Sequence, residues 1–358
     1  MFWRGKKVLL TGHTGFKGSW MSLWLEQLGA EVTGYSLPPP TTPSLFESAS
    51  VASGMRSITG DVCDAPFLKQ AMAECKPEVV FHMAAQSLVR VSYEDPILTY
   101  QTNVMGTAIL LEAVRTAESV RAVVVITTDK CYENRNWVWG YREVDRLGGH
   151  DPYSNSKACA ELVVSAYRDS FFEAPVGNAR PVALASARAG NVIGGGDWAR
   201  DRLLPDAIRS FADGKTLKIR YPQATRPWQH VLEPLRGYIM LAQSLYERGS
   251  AFASAWNFGP KPGDAQPVRW IVEKIISAWD SPATWEIDGG DHPHEAQVLQ
   301  LDWSKAAQQL GWHPALDLTD ALTMTVDWYR DTLRGKSARE KCLEQISAYC
   351  SKADCELS

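Results

Sequence analysis

Short apolar runs alternate with stretches of helical periodicity through the first half of this chain. Lys7–Thr11, Glu31–Tyr35, Ser57–Gly60, Glu78–Met83, Ala122–Ile126 and Val182–Ser186 read as strands. Several are apolar at consecutive positions, as Val8-Leu9-Leu10 and Val123-Val124-Val125 are, which marks strands buried on both faces of a parallel sheet. Trp20, Met21, Leu23, Trp24, Leu25 and Leu28 recur at helical spacing and stop at Gly29. Longer helices are predicted over Pro96–Ala117 and from Pro152 to about Phe172, each opened by a proline. Such alternation predicts an α/β fold with a Rossmann-like, doubly wound parallel sheet and right-handed crossovers.

After Arg188 the pattern changes. Residues 190–198 are too rich in glycine for a regular element. Helical patterns return at Pro205–Asp213, Arg236–Leu245 and Pro267–Ala278, with short strands at Lys218–Arg220 and Trp256–Phe258. The chain therefore divides into 1–188, which forms the sheet with later chain returning to it, and 189–335, a smaller interleaved C-terminal lobe that closes a cleft. Residues 336–358 are a charged tail with one predicted helix and three cysteines.

Composition narrows the classes. Among 358 residues, 45% are hydrophobic and 22% charged, as in an ordinary globular protein. A net charge of −4 without a long basic run argues against nucleic acid as a partner. No apolar leader or membrane-spanning run is expected, because the N-terminal residues pass directly into the first strand. Seven cysteines without Cys-x-x-Cys spacing read as reduced thiols of a cytoplasmic protein, and no metal site is expected. Of fourteen tryptophans, Trp137, Trp139, Trp198 and Trp228 stand in polar loops and are candidates for a pocket wall.

The turn after the first strand is Gly12-His13-Thr14-Gly15-Phe16-Lys17-Gly18, in the order strand, glycine turn, helix. There the first glycine makes the turn, the second admits a pyrophosphate, and the third lets helix pack on strand. Free N–H groups at the helix start complete a dinucleotide site. The acid expected after the second strand to bind a ribose is replaced by Tyr35-Ser36-Leu37, and no arginine stands there for a 2′-phosphate. NAD is favoured over NADP, held loosely. Asp61 follows the third strand where an adenine amino group would be read. Ala84-Ala85-Gln86, after the fourth strand, are small enough at the first two positions for a cofactor to approach.

Candidate chemistry clusters between Thr128 and Lys157. Tyr153 and Lys157 lie one helical turn apart, where an ammonium lowers a phenol's pKa and makes it a usable base. Thr128, Asp129 and Lys130 leave the C-terminal end of a buried strand, where open parallel sheets place ligands. Arg188, Asn191, Arg202, Arg220 and Arg226 are polar candidates for the cleft, since guanidinium forks match pyrophosphate oxygens. His82 and His230 are explained as well by a structural role as by a ligand. His292 and His294 precede a stretch that could close over a nucleotide.

From about Lys7 to Tyr329 the chain resembles the nucleotide-sugar 4,6-dehydratases of the extended short-chain dehydrogenase/reductase type. The resemblance rests on Gly12–Gly18, Phe81–Gln86, Thr128-Asp129-Lys130-Cys131-Tyr132-Glu133-Asn134, Tyr153-Ser154-Asn155-Ser156-Lys157, Ala187–Trp198 and Arg226-Pro227-Trp228-Gln229-His230. It implies bound NAD, a 4-keto-6-deoxy product, CDP-glucose as substrate, and a homodimer or tetramer formed through the two long helices. The cytidine rests on the resemblance alone. A place in dideoxyhexose, O-antigen and lipopolysaccharide biosynthesis is implied too. Val62, Asn103 and Thr127 join the cofactor residues with Tyr153 and Lys157, and Gln86 counts for both ligands. Leu204 and Asn257 join the substrate residues, while Asn191 and Arg226 match pyrophosphate positions.

The implied chemistry oxidises C4 with Tyr153, Lys157 and Thr128. An acid/base pair then removes the C5 proton and expels the C6 hydroxyl as water, and hydride returns to C6, so that the cofactor is regenerated. Relatives using other nucleotides carry Asp-Glu as that pair; here it is Asp129-Lys130. Either residue could be the base, and the sequence leaves both assignments open. A 4-epimerase would not need this pair, a decarboxylase would need a cationic pocket for a carboxylate, and a silent NAD-binding module would not need Tyr153 and Lys157.

Overall fold

A computed structural model describes residues 1–173, 181–290 and 299–355. Seven strands, β1 (Lys7–Thr11), β2 (Glu31–Ser36), β3 (Arg56–Thr59), β4 (Val79–His82), β5 (Ala122–Ile126), β6 (Ala183–Ala189) and, later in the chain, β10 (Ala255–Phe258), form one sheet in the order β10-β6-β5-β4-β1-β2-β3. Every pairing in it is parallel. The order reverses beside β1, so β1 and β4 part at their C-terminal ends and leave a crevice there.

The unbroken apolar runs are explained by two cores, one on each face. Val8, Leu10, Phe81 and Val124 point to one core, while Leu9, Val80, Val123 and Val125 point to the other. Helix α1 (Phe16–Gln27) fills the first with Trp20, Leu23 and Trp24. Helix α2 (Ala65–Cys75) supplies Leu68 and Met72 to the second. The predicted helix at Pro96 is α3 (Pro96–Tyr100), which passes through a π turn at Gln101–Met105 into α4 (Gly106–Arg115). Helix α5 (Pro152–Tyr167) starts where predicted, with Asp151 accepting from Ser154 N at 2.9 Å and Pro152 in the first turn.

The remaining chain builds small sheets beyond the crevice. Strands β7 (Asn191–Ile193), β9 (Thr225–His230) and β11 (Ala265–Pro267) make one, and β8 (Leu217–Ile219) with β12 (Trp285–Ile287) makes another. Helices α6 (Leu203–Ala212), α7 (Leu232–Arg248), α8 (Val268–Ala278) and α9 (Leu318–Leu333) follow in chain order. A third core joins Leu204, Phe211, Ile219, Trp228, Ile271 and Leu322. The tail is α10 (Ala338–Ala353), capped by Ser337 and packed through Cys342, Ile346 and Tyr349 onto the first core.

Candidate active site

A cavity of about 1440 Å³ opens at the C-terminal ends of β1, β4 and β5 and runs to α6 and β8. Gly12 has φ +77°, and a Cβ there would stand 2.6 Å from Ala84 N. A Cβ on Gly18 would stand 2.1 Å from Gly12 O, so helix, turn and the segment after β4 close on one another only without side chains. Gly15 meets nothing nearer than Gly12 O at 3.4 Å and lines the cavity. The first turn of α1 has no side-chain cap, and residues 15–18 line the cavity, so its free N–H groups suit phosphate oxygens.

The missing ribose acid is replaced by hydroxyls. Thr14 Oγ1 lies 2.8 Å from Ser36 Oγ and donates to Leu37 O at 2.9 Å. Asp61 and Val62 line the same end, with Asp61 Oδ1 accepting from Cys63 N at 2.8 Å. Ala84, Ala85 and Thr127 lie along the wall. The cradle therefore fits a dinucleotide.

Asn103 is not in the wall. On the π turn, its Oδ1 accepts from Gln86 N at 2.9 Å, and its Nδ2 donates to Gln86 O and to Ser156 Oγ, both at 2.9 Å. Ser156 Oγ donates in turn to Tyr153 O at 2.7 Å. Asn103 thus fastens the segment after β4 to α5. Gln86 lines the cavity, but its amide is engaged with Leu88 and Thr99.

Thr128, Asp129, Lys130, Tyr153 and Lys157 converge on this cavity. Thr128 Oγ1 donates to Asp129 Oδ1 at 3.0 Å, and Lys130 Nζ reaches Asp129 Oδ1 at 3.5 Å and Asn191 Oδ1 at 3.2 Å. Asp129 is 1% exposed, whereas the Lys130 side chain is 32% exposed.

Burial pushes the Tyr153 phenol up to about 12; a hydrogen bond with Thr128 and the charge of Arg202 oppose that rise, and Asp129 adds to it. The lowering expected from Lys157 is not found: Lys157 is not among the groups that shift the phenol, and its Nζ donates to Ile126 O at 3.1 Å. Burial brings Lys157 itself down to about 8, against the opposing charge of Glu161. Lys17, half-buried at the wall, is lowered to about 7, first by burial and then by Lys157 and Arg202.

Two expected substrate residues lie elsewhere. Strand β6 runs on to Ala189, past its expected end at Ser186, and carries Arg188 into the sheet opposite Asn257 of β10. Arg188 is 3% exposed and ion-paired with Glu161 at 2.8 Å, and Asn257 is fully buried against Tyr132, Tyr141 and Asp302. Neither faces the cleft. Asn191, Arg202, Leu204, Arg220 and Arg226 do line it. Arg202 pairs with Asp197 at 2.8 Å, and Arg220 lies 4.0 Å from Asp201. Trp198 and Trp228 are in the wall; Trp137 and Trp139 are not. His82 and His230 are buried, each held well below its usual pKa by burial, and neither lines the cavity. His292 and His294 lie outside the described residues.

The residue that sequence reasoning missed is Glu161. Its only signal was its place two turns after Tyr153 on the face that carries Lys157.

A parallel sheet with a glycine turn at its switch point, and Thr, Tyr and Lys beside it, defines the short-chain dehydrogenase/reductase class. Within that class the chain belongs to the GDP-mannose 4,6 dehydratase family, whose model matches residues 9–325. It is similar to the CDP-glucose 4,6-dehydratase of Salmonella typhimurium, 57% identical over 350 residues, which span 98% of each chain. The structure of MoeE5 in complex with UDP-glucuronic acid and NAD is 25% identical, with a TM-score of 0.75 over 91% of this chain and 99% of that one. A UDP-glucose-4-epimerase from Stenotrophomonas maltophila shares the fold, with 21% identity and a TM-score of 0.79 over 92% of this chain and 100% of that one.

Proposed function

We propose that this protein is an NAD-dependent hydro-lyase that converts CDP-glucose to CDP-4-dehydro-6-deoxyglucose and water. The observation that carries the proposal is the convergence of Thr128, Asp129, Lys130, Tyr153 and Lys157 on one cavity, in a chain 57% identical to a CDP-glucose 4,6-dehydratase. When bound, NAD would be held by the glycine cradle and would supply a hydride acceptor and donor. Tyr153 takes the proton of the C4 hydroxyl, with Thr128 holding the same oxygen. Lys157 lends its ammonium to the pair. The C4 ketone acidifies C5–H, and Asp129 and Lys130 divide the proton transfers of the elimination, one removing that proton and one protonating the departing C6 hydroxyl; the hydride taken from C4 would then return to C6 as a proton returns to C5, which leaves the cofactor oxidised. Two groups of opposite charge type side by side suit that division. Arg202, Arg220 and Arg226, with Asn191, suit the diphosphate of the substrate.

The protein works as a homodimer in this proposal. Exposed Ile97, Met105 and Leu162 on α3, the π turn and α5 supply an apolar face for a four-helix bundle. A monomeric mass at micromolar concentration overturns that assignment. Among the described residues, no helix is long and apolar enough to cross a membrane. Seven free thiols accord with a cytoplasmic setting, and the 4-keto-6-deoxy product suits a route to dideoxyhexoses of O-antigen and lipopolysaccharide.

Incubation with CDP-glucose and NAD tests the proposal. Expected is a product lighter by one water, with the alkali-dependent absorbance of a 4-keto sugar and no net NADH. Turnover without mass change would make the protein an epimerase. Dehydration of UDP-, dTDP- or GDP-sugars alone would keep the mechanism and discard cytidine.

A further inference from the structure

Tyr153, Lys157 and Glu161 are four residues apart on α5, so their side chains share one face. The first two line the cavity, while Glu161 is buried behind them. Its carboxylate is fully engaged. Oε1 accepts from Thr127 Oγ1 at 2.5 Å and Arg188 Nε at 2.9 Å; Oε2 accepts from Ser186 Oγ at 2.6 Å and Arg188 Nη2 at 2.8 Å. Arg188 Nη1 donates onward to Tyr132 OH at 2.6 Å and to Glu143 O at 3.1 Å, and Tyr132 OH donates to Asn257 Oδ1 at 2.8 Å. Thr127 and Tyr132 flank the segment Thr128–Cys131, which carries three of the reacting groups.

We infer that the buried Glu161–Arg188 pair is a positioning device for the dehydration: it clamps both ends of the Thr128–Cys131 segment to the catalytic helix and keeps a negative charge behind Lys157. The inference rests on the proposed roles of Thr128, Asp129, Lys130, Tyr153 and Lys157. A buried ion pair is a poor way to gain stability, since apolar residues of similar volume often do as well. Here its bonds go to the end of β5, to β6 and to the turn after Lys130. Around Lys157 stand Tyr153 and Glu161 on its own helix, Cys131 after β5, Lys17 on α1 and His82 on β4. Burial holds His82 neutral, and burial also keeps the Cys131 thiol protonated. Glu161 is therefore the anionic partner that offsets the burial of the ammonium.

The test compares Glu161→Gln, Glu161→Asp and the double variant Glu161→Gln/Arg188→Met, which leaves no unpaired buried charge, with the wild-type enzyme. Each is measured for kcat and KM with CDP-glucose across pH, and by a ¹⁵N NMR titration of the Lys157 amine. In Glu161→Gln and the double variant, kcat is expected to fall about 10- to 100-fold with KM within about twofold, and the Lys157 titration and the alkaline limb of kcat to move down by about one pH unit. Glu161→Asp is expected to restore the position of that limb and part of the rate. A folded double variant with wild-type kcat and an unmoved Lys157 titration overturns the inference and makes the pair structural. A wild-type enzyme inert toward CDP-glucose defeats the proposed substrate instead, and the NMR titration still decides the role of Glu161.

Discussion

Lys130 Nζ stands 3.5 Å from Asp129 Oδ1, while the other oxygen of that carboxylate, Oδ2, is buried with no hydrogen-bond partner among the described residues. A Cβ on Gly190 would come within 3.0 Å of this oxygen. One carboxylate oxygen is thus tied to Thr128 and Lys130, and the second has no partner among the described residues. Asp129→Asn and Lys130→Met are each expected to lower the rate of water loss by about 10²- to 10⁴-fold, the usual worth of a positioned acid or base. C4 oxidation survives in both, so the near-ultraviolet band of reduced nicotinamide should build up on mixing with CDP-glucose. Wild-type rates of water loss in both variants would remove the pair from the mechanism.

The pH profile follows from Tyr153 and Lys157. With the phenol up at about 12, its reactive form grows as pH rises; with Lys157 down at about 8, the ammonium is lost above that value. The rate should climb toward pH 8 and then level or fall, and Lys157→Met should lack the alkaline limb. The linkage to stability has a definite sign. Between about 8 and 10.5 the unfolded chain holds the lysine proton and the folded chain does not, so this group makes the fold more stable as pH rises through that window. Lys157→Met should accordingly gain most over wild type below pH 8, as read by denaturant unfolding.

Gly18→Ala places a methyl group 2.1 Å from Gly12 O, against backbone that has no side chain to move aside. Overpacking of this kind costs about 1–3 kcal/mol. The variant should lose both thermal stability and NAD affinity, the latter by calorimetry. Unaltered NAD binding would show that the turn is not the cofactor cradle.

No acid follows β2, and Thr14 and Ser36 hydroxyls stand there instead. One strong ribose hydrogen-bond pair is missing, so the protein should be isolated with less than one NAD per chain, as counted by acid extraction. Stoichiometric NAD in the purified protein would defeat this expectation.

The tail helix has a structural task that separates from catalysis. Tyr349 OH donates to Glu233 Oε2 at 2.8 Å, and Glu233 Oε1 accepts from Ala315 N at 2.9 Å and Leu316 N at 2.6 Å. Tyr349→Phe leaves the buried carboxyl short of a donor, at a cost of about 1–3 kcal/mol. A lower denaturant midpoint with unchanged kcat is the expected result; a fall in kcat at full stability would give the tail a part in the reaction.

Much of the molecule was legible in the chain alone, because the information was local. Apolar runs buried on both faces announced the parallel strands, prolines and glycines marked where helices begin and stop, and the spacing of Gly12, Gly15 and Gly18 announced a turn that admits no Cβ at Gly12 or Gly18. Tyr153 and Lys157 were visible because helical periodicity sets their common face. What tertiary structure decided was the direction and environment of polar side chains whose partners are distant in sequence. Arg188 and Asn257 had the chemistry of substrate ligands, but β6 extends to Ala189 and pairs with β10, which turns both into the interior. There Arg188 is neutralised by Glu161, 27 residues away in the chain. The same burial raises the Tyr153 phenol and lowers the Lys157 ammonium, since charge is costly in a low-dielectric interior, and no local pattern of residues reports that.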